Sequence, residues 1–540
     1  MTSSPQASPR LRVSVVVAVY NPGAGFDELL ASLDGQSLGA DAFEVILCDD
    51  GSDEATRARL AAAARTRANV RVLTLARTGW PGTPRNHGID AAEGEYVFFA
   101  DQDDRFPPEA LERMCDYADR HRSDVVIGRV LGIGRDIPRA IFARDIPHAH
   151  LDVDPLLELL TPHKLFRVAF LRAHGIRFPD GRVRLEDHLF VVAAYFAASV
   201  ISVLASSPCY YWVKHRGSAS SSRIDPVIYF PHLLAVLDLV EANTDPGEVR
   251  DRLLRHWYRG KILQRLEGRR VVRYPPEYLA GFLDVVTPIA RDRFGPGVEA
   301  GLALPFRVRS ALLRGGRRDD LIRFCAWEGA VTCRAEVVEI RSTRSGRLRM
   351  TLRATVERDG TDAFLFDSPA GPEHHRYLRL PEDIAPDLLP GPVLDATHDL
   401  RRDRVEVGIR GAGTGIDLRR ATRPTAPGAV TVVLDPVEIF GAHEPAERVA
   451  LRAHVRRAGW AFTVPLRVAA RPPGDLLRGA GCVVEVGPAG DLVLRRDRTP
   501  GGWLRQQARL PRAARTLPHR LLPRWARRVG RRLLSRAPKR

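Results

Sequence analysis

The sequence predicts an α/β N-terminal domain on a mostly parallel sheet, then a helical region, then a β-sandwich. Three observations carry this. Short β-branched runs alternate with helical apolar periodicity through the first part of the chain, polar residues cluster directly after those runs, and beyond residue 330 the apolar period falls to two. At 540 residues the chain exceeds what one hydrophobic core supports. The expected divisions are 1–225 for the α/β domain, 226–325 for a helical extension, 326–500 for the β-sandwich and 501–540 for a basic tail.

Val13–Val19 reads as a buried strand, followed after Tyr20-Asn21-Pro22 by a helix whose Phe26, Leu29, Leu30 and Leu33 share one face. Phe43–Cys48 is a second strand and ends in Asp49-Asp50-Gly51-Ser52; Val70–Thr74 is a third, followed by the loop Gly79–Asn86 and a short helix. Tyr96–Ala100 runs into Asp101-Gln102-Asp103-Asp104, Pro107 suits the opening of a helix, and Val125–Gly128 is a fifth strand. The longest apolar run, Leu189–Ala205, is broken by Ser199 and Ser202. It falls short of the roughly 20 residues of a bilayer span and reads as a buried helix passing into a strand. Leu233–Glu241 and Val249–Leu266 are helical, whereas Glu336–Ile340, Arg347–Val356, Val405–Ile409, Ala429–Leu434, Val449–His454 and Ala461–Val468 alternate as strands.

Ligands of an open α/β sheet sit beyond the carboxyl ends of its strands. Here those ends carry Tyr20-Asn21, Asp49-Asp50, the Gly/Pro loop and Asp101-Gln102-Asp103 in succession. Carboxylates there can hold ribose hydroxyls or a base N–H, and a pair two residues apart can hold an oxygen-loving divalent ion that bridges a diphosphate. Each motif alone is an ordinary turn or helix cap; the ordered set is the signal.

Val17-Ala18-Val19-Tyr20-Asn21-Pro22, Cys48-Asp49-Asp50-Gly51-Ser52, Ala100-Asp101-Gln102-Asp103-Asp104 and Glu186-Asp187-His188 together resemble the family-2 inverting glycosyltransferases of GT-A fold. A narrower similarity, in Gly79–Asn86, Thr161–Arg167 and Tyr210-Tyr211-Trp212, is to wall teichoic acid enzymes that move N-acetylglucosamine onto polyribitol phosphate. The resemblance implies metal-dependent transfer from a UDP-sugar to a hydroxyl of a cell-surface polymer or its lipid-linked precursor, with Mn²⁺ or Mg²⁺. It implies that Tyr20, Asn21 and Asp50 hold the uridine, that Arg85 lies near the diphosphate or ribose, and that Asp101 contacts ribose. Asp103 is implied as metal ligand, Asp187 as general base, and Glu186 as orienting donor sugar or acceptor; Lys164, Arg167 and Arg216 supply cations for a phosphate-rich acceptor. The sequence departs from the family in Ala18, where proline is common, in Gln102 between the two carboxylates, and in Ala219, where the teichoic acid enzymes offer a histidine. His215 fills that place only if the loop shifts.

The alternatives weighed are a non-catalytic carbohydrate-binding scaffold, against which the intact Asp101, Asp103 and Asp187 argue, and a nucleotidyltransferase, whose basic glycine loop is missing from Tyr20–Asp27. The net charge is +17, and residues 501–540 hold thirteen Arg or Lys and no acid. Leu521, Leu522, Trp525, Val529, Leu533 and Leu534 form a stripe there beside Arg524, Arg527, Arg528, Arg531 and Arg532, a pattern that fits an anionic membrane surface better than nucleic acid. The polar start and six scattered cysteines without a CxxC pair lead to the expectation of a cytoplasmic protein, peripheral at the inner face of the plasma membrane, with the β-sandwich as a surface for acceptor binding or homo-oligomers.

Overall fold

The computed structural model describes residues 11–497 except 216–222, 369–373, 385–388, 412–416, 427, 441–446, 469–477 and 480–481. The chain divides into two compact units that meet near Gly329 in sequence, with residues 303–305 belonging to the second.

The first unit opens with β1 (Val13–Val19), α1 (Gly25–Asp34), β2 (Phe43–Asp49), α2 (Glu54–Thr66), β3 (Val70–Thr74), α3 (Gly82–Ala91) and β4 (Tyr96–Asp101). It continues with α4 (Ala110–His121), β5 (Val125–Ile133), β6 (Ile146–Ala149), β7 (Leu165–Arg167), α5 (Val168–Ala173), α6 (Glu186–Ala197) and β8 (Ile201–Val213). The eight strands form one sheet in the order β3-β2-β1-β4-β7-β5-β8-β6. Neighbours β1, β2, β3 and β4 are parallel, as are β5 and β8, while β7 and β6 run against their partners. This is the GT-A type α/β arrangement expected of the first domain. The apolar run Leu189–Ala205 divides, as expected, between α6 and β8.

Helices cover the sheet because their apolar stripes need it. Phe26, Leu29, Leu30 and Leu33 of α1 are buried, as are Leu111, Met114, Cys115 and Ala118 of α4. Fully removing such side chains from water contributes roughly 1.5–3 kcal/mol each. Gly88 lets α3 lie close on β1, since a Cβ at that position would stand 2.2 Å from Val16 Cγ1.

Beyond β8 the unit turns helical: Pro226–Ala242, capped by the Asp225 carboxylate on the N–H groups of Val227 and Ile228, then Glu248–Trp257, Pro276–Arg293, Leu304–Arg314 from Phe306 onward, and Arg318–Gly329. Glu248–Trp257 passes through a wide turn, Tyr258–Ile262, that buries Trp257 and Tyr258.

The second unit is rich in sheet. Strands Thr332–Ser342, Leu348–Arg358, Arg404–Gly411, Ala429–Leu434, Arg448–Arg457 and Trp460–Val468 contain five of the six segments that the two-residue period marks and all but Arg347 of the sixth. Trp460–Val468 bends between two groups of strands, pairing antiparallel with Arg448–Arg457 through its first part and parallel with Thr332–Ser342 at Leu466–Val468. No helix among the described residues is long and apolar enough to cross a membrane. Cys48, Cys115, Cys209 and Cys325 are buried free thiols. The 501–540 stripe lies outside the described residues.

Candidate active site

Parallel register puts the chemistry on one rim: Val19 of β1 pairs with Asp49 of β2, and Ala18 with Asp101 of β4. Beyond these ends opens a cavity of about 480 Å³ lined by, among others, Tyr20, Asp50, Arg85, Asp101, Asp103, Glu186 and Asp187. Seven residues singled out in the sequence therefore share one surface.

The turn after β2 is rigidly held. Asp49 Oδ1 accepts the Ser52 N–H, and the Asp50 carboxylate accepts the N–H groups of Thr78 and Gly79 at 2.7 and 2.8 Å. Gly51 sits at φ 72°, where a Cβ would approach the backbone of Arg77 to 3.0 Å, so only glycine allows the two loops to touch. Asn21, at φ 40°, spends its carboxamide oxygen on the N–H of Asp53 and the hydroxyl of Thr56. It shapes the turn and is not among the cavity-lining residues. Gln102 braces the strand ends by two bonds to the backbone of Tyr20, at 2.8 and 3.2 Å, which explains how a long amide sits between the two carboxylates.

The carboxylates differ in environment. Burial would raise Asp101, but His163 and Arg85 beside it hold it below its ordinary value; the Arg85 guanidinium donates to Asp101 at 3.0 Å. Asp103 and Asp104 are raised, Asp104 strongly, by burial and then by the charge of Asp101. Glu186 is pushed up to about 9 by burial and by Asp187, with Arg85 4.0 Å away. Both stand in the first turn of α6, entered through Leu185 at φ 60°, a left-handed conformation that costs a non-glycine residue about 1–2 kcal/mol. That strained turn aims the pair at the rim.

The donor set suits a divalent cation. Asp101, Asp104 and His163 have ligand atoms within 4.8 Å of one another, and the buried Asp104 Oδ2 has no hydrogen-bond partner among the described residues. Asp103 Oδ2 lies 3.4 Å from His215 Nε2. Carboxylate oxygens with an imidazole nitrogen nearby fit Mg²⁺ or Mn²⁺.

Comparison with known proteins agrees with this geometry. Residues 14–181 match the family model described as "Glycosyl transferase family 2", and residues 226–325 match the "Glycosyl transferase TarS linker domain". "Glycosyltransferase GlyG" of Streptococcus pneumoniae is 33% identical over 229 residues, covering 39% of this chain and 74% of GlyG. The chain belongs to the family-2 glycosyltransferases. "Poly(ribitol-phosphate) beta-N-acetylglucosaminyltransferase TarS" of Staphylococcus aureus is 35% identical over 244 residues, 44% of this chain. The chain spans only 42% of the length of that relative. The crystal structure of S. aureus TarS 1-349 in complex with UDP-GlcNAc aligns with a TM-score of 0.52 and 25% identity, over 65% of this chain and 98% of that one.

Within this family-2 domain the structure corrects two of the sequence assignments. Lys164, assigned to the acceptor, is fully buried, donates to the Thr161 carbonyl, and is lowered to about 7 by burial, against which Asp187 acts. No acceptor can touch it. Arg167, assigned likewise, pairs with Tyr96 at the start of β4, at the far end from Asp101, and binds Glu95, Tyr96 and Ser123. The reason is the direction of β7, whose antiparallel course carries its C-terminal end away from the rim. Arg216 lies outside the described residues.

Four further residues of this transferase domain went unassigned in the sequence. Arg77 lies over the Tyr20 ring at 4.2 Å and Arg135 over Trp212 at 3.8 Å, all lining the cavity. His163 Nε2 is 3.5 Å from Asp101, and the Tyr210 hydroxyl accepts the Asp101 N–H. The available signals were the polar-aromatic run Tyr210-Tyr211-Trp212 and the histidine of Thr161–Arg167, which no spacing rule ties to β4. His215, doubtful in the sequence, does reach Asp103.

Proposed function

We propose that this chain is a metal-dependent inverting glycosyltransferase that moves N-acetylglucosamine from its UDP derivative to a hydroxyl of a polyol-phosphate polymer of the polyribitol type. The observation that carries the reading is the single cavity shared by Tyr20, Asp50, Arg85, Asp101, Asp103, Glu186 and Asp187. The likeness to TarS supports the donor and acceptor class.

In this reading Tyr20, backed by Arg77, receives the uracil, and Asp50 fixes the Thr78–Gly79 loop against which the nucleotide lies. Arg85 and Asp101 orient the ribose and diphosphate. Asp187 accepts the proton of the acceptor hydroxyl while that oxygen attacks the anomeric carbon from the face opposite the nucleotide; the bond to the diphosphate breaks and UDP leaves with the electron pair. Glu186, neutral near pH 7, donates a hydrogen bond to donor or acceptor. A divalent cation held by Asp103, with His215 beside it, would supply neutralisation of the departing diphosphate. The reaction takes place at the inner face of the plasma membrane, to which the basic stripe of 501–540 binds the chain.

The test is UDP release by purified protein from a panel of UDP-sugars. We expect turnover with the N-acetylglucosamine donor that chelation abolishes and Mn²⁺ or Mg²⁺ restores. Asp187→Asn should cut turnover by at least about a hundredfold, the low end for loss of a general base, while UDP binds nearly as before. An Asp187→Asn chain that turns over normally removes the proposed base.

A further inference from the structure

With Lys164 and Arg167 excluded, the question is which cations meet a phosphate-bearing acceptor. We infer that Arg182 and Arg184, on the loop entering α6 and gathered over Trp80, form a subsite for a phosphodiester group of the acceptor. The inference rests on the transferase reading above and deepens it by naming residues for the acceptor.

Three features point there. The Trp80 ring lines the cavity together with Glu186 and Asp187, and the guanidinium carbons of Arg184 and Arg182 stand 5.1 and 6.0 Å from its centroid. The aromatic face thus holds two long cationic side chains on a ring that itself lines the site.

The second feature is their charge balance. Arg177, on the same connection, is held by Asp90 through bonds of 2.6 and 2.7 Å. Arg182 and Arg184 have no carboxylate partner among the described residues; the Arg184 backbone N–H donates to His232 Nδ1 at 3.3 Å, which leaves its guanidinium on Trp80. Arg182 is exposed and Arg184 half-buried. Two adjacent like charges without a counter-ion repel one another, and an anion between them relieves that repulsion. Guanidinium groups match phosphate oxygens as forks, which makes paired arginines apt for this anion.

The third feature is reach. Arg184 precedes Asp187 by three residues, so their backbones lie within roughly 10 Å by chain length alone. A polymer unit whose hydroxyl meets Asp187 brings its own phosphodiester to this distance. The phosphate would fix which hydroxyl is presented to the base, so the subsite governs acceptor choice while leaving the donor untouched.

The experiment uses the full chain carrying Asp187→Asn, so that binding is read without turnover, and titrates it with a synthetic ribitol phosphate octamer, with free ribitol and with UDP. The octamer should bind and weaken with added salt, whereas free ribitol should not bind measurably. Because a charge-assisted contact is worth about 1.5–3 kcal/mol, Arg182→Ala and Arg184→Ala should each weaken the octamer about tenfold or more, and Arg184→Lys should recover part of the loss. UDP affinity should stay within a factor of about two, as befits a group that the donor does not touch. Unchanged octamer affinity in the double variant overturns the subsite, as does a loss shared equally by UDP. A parent chain that binds neither UDP nor octamer instead refutes the transferase reading itself.

Discussion

Glu186 and Asp187 are neighbours in one helical turn, yet at neutral pH they cannot both be ionised cheaply. Glu186 is the more buried of the two and retains its proton up to about 9, and in the proposed reading the base is its neighbour Asp187. Two carboxyl groups with separated tasks is the common outcome when burial differs over a few ångströms. Because the folded value lies above the ordinary 4.5, the folded chain holds a proton that the unfolded chain releases, and stability contributed by this group falls as pH rises from 4.5 through about 9. Glu186→Gln mimics the protonated form. We expect it to keep UDP binding and to flatten the decline in unfolding free energy across that window, as read by denaturant titrations at several pH values. A variant whose stability declines with pH as steeply as the parent would place the protonation elsewhere. The carboxylates Asp50, Asp101 and Asp103 were legible in the sequence because they stand at the ends of apolar strand runs, whereas Glu186 and Asp187 were marked only by the family resemblance. The fates of Lys164 and Arg167 were not, because a three-residue strand gives no periodicity from which to read direction or burial.

At the level of elements, the site is made by the ends of β1, β2 and β4 and by two backbone devices, the glycine turn after β2 and the left-handed step into α6. Parallel strands buried on both faces are near-continuous apolar runs, which is why Val13–Val19, Phe43–Asp49 and Tyr96–Asp101 could be located from sequence within a residue or so. The antiparallel insertion of β7 between β4 and β5 could not, since it depends on pairing between distant segments. Pro107 suited a helix start, yet α4 begins at Ala110, after a turn in which the Pro107 carbonyl accepts the Ala110 N–H. Gly51 offers a direct test of the turn. Gly51→Ala adds a Cβ 2.8 Å from the Cβ of Arg77 at a positive φ, so the Asp50 turn and the Arg77–Gly79 loop must separate. We expect about 1–3 kcal/mol of destabilisation, from a non-glycine residue in the left-handed region together with the contact. UDP affinity should fall in the same protein, because the loop bonded to Asp50 borders the cavity. Calorimetric melting and a UDP titration read the two effects; an unchanged UDP affinity alongside a lowered melting temperature would separate the turn from the nucleotide.

Across the whole molecule, charge is distributed very unevenly. Of the net +17, thirteen positive charges sit in the last forty residues, interleaved with Leu521, Leu522, Trp525, Val529, Leu533 and Leu534, while the cavity at the sheet rim is lined by six acidic side chains. In the proposed reading the two regions take different partners: the rim a cation and a sugar diphosphate, the tail an extended anionic surface. Each basic residue near an anionic leaflet contributes about 1 kcal/mol, and a tryptophan with leucines adds apolar burial at the interface. Removing 501–540 should therefore abolish sedimentation with vesicles containing phosphatidylglycerol and leave UDP release with a soluble acceptor within about twofold, since sites that share no partner act independently. Trp525→Ala isolates the apolar part and should leave binding that is weaker and more sensitive to salt, because the electrostatic remainder is screened over about 10 Å at 0.1 M ionic strength. Equal binding by the truncated and full chains would locate the membrane contact elsewhere; loss of UDP release on truncation would tie the tail to the catalytic unit.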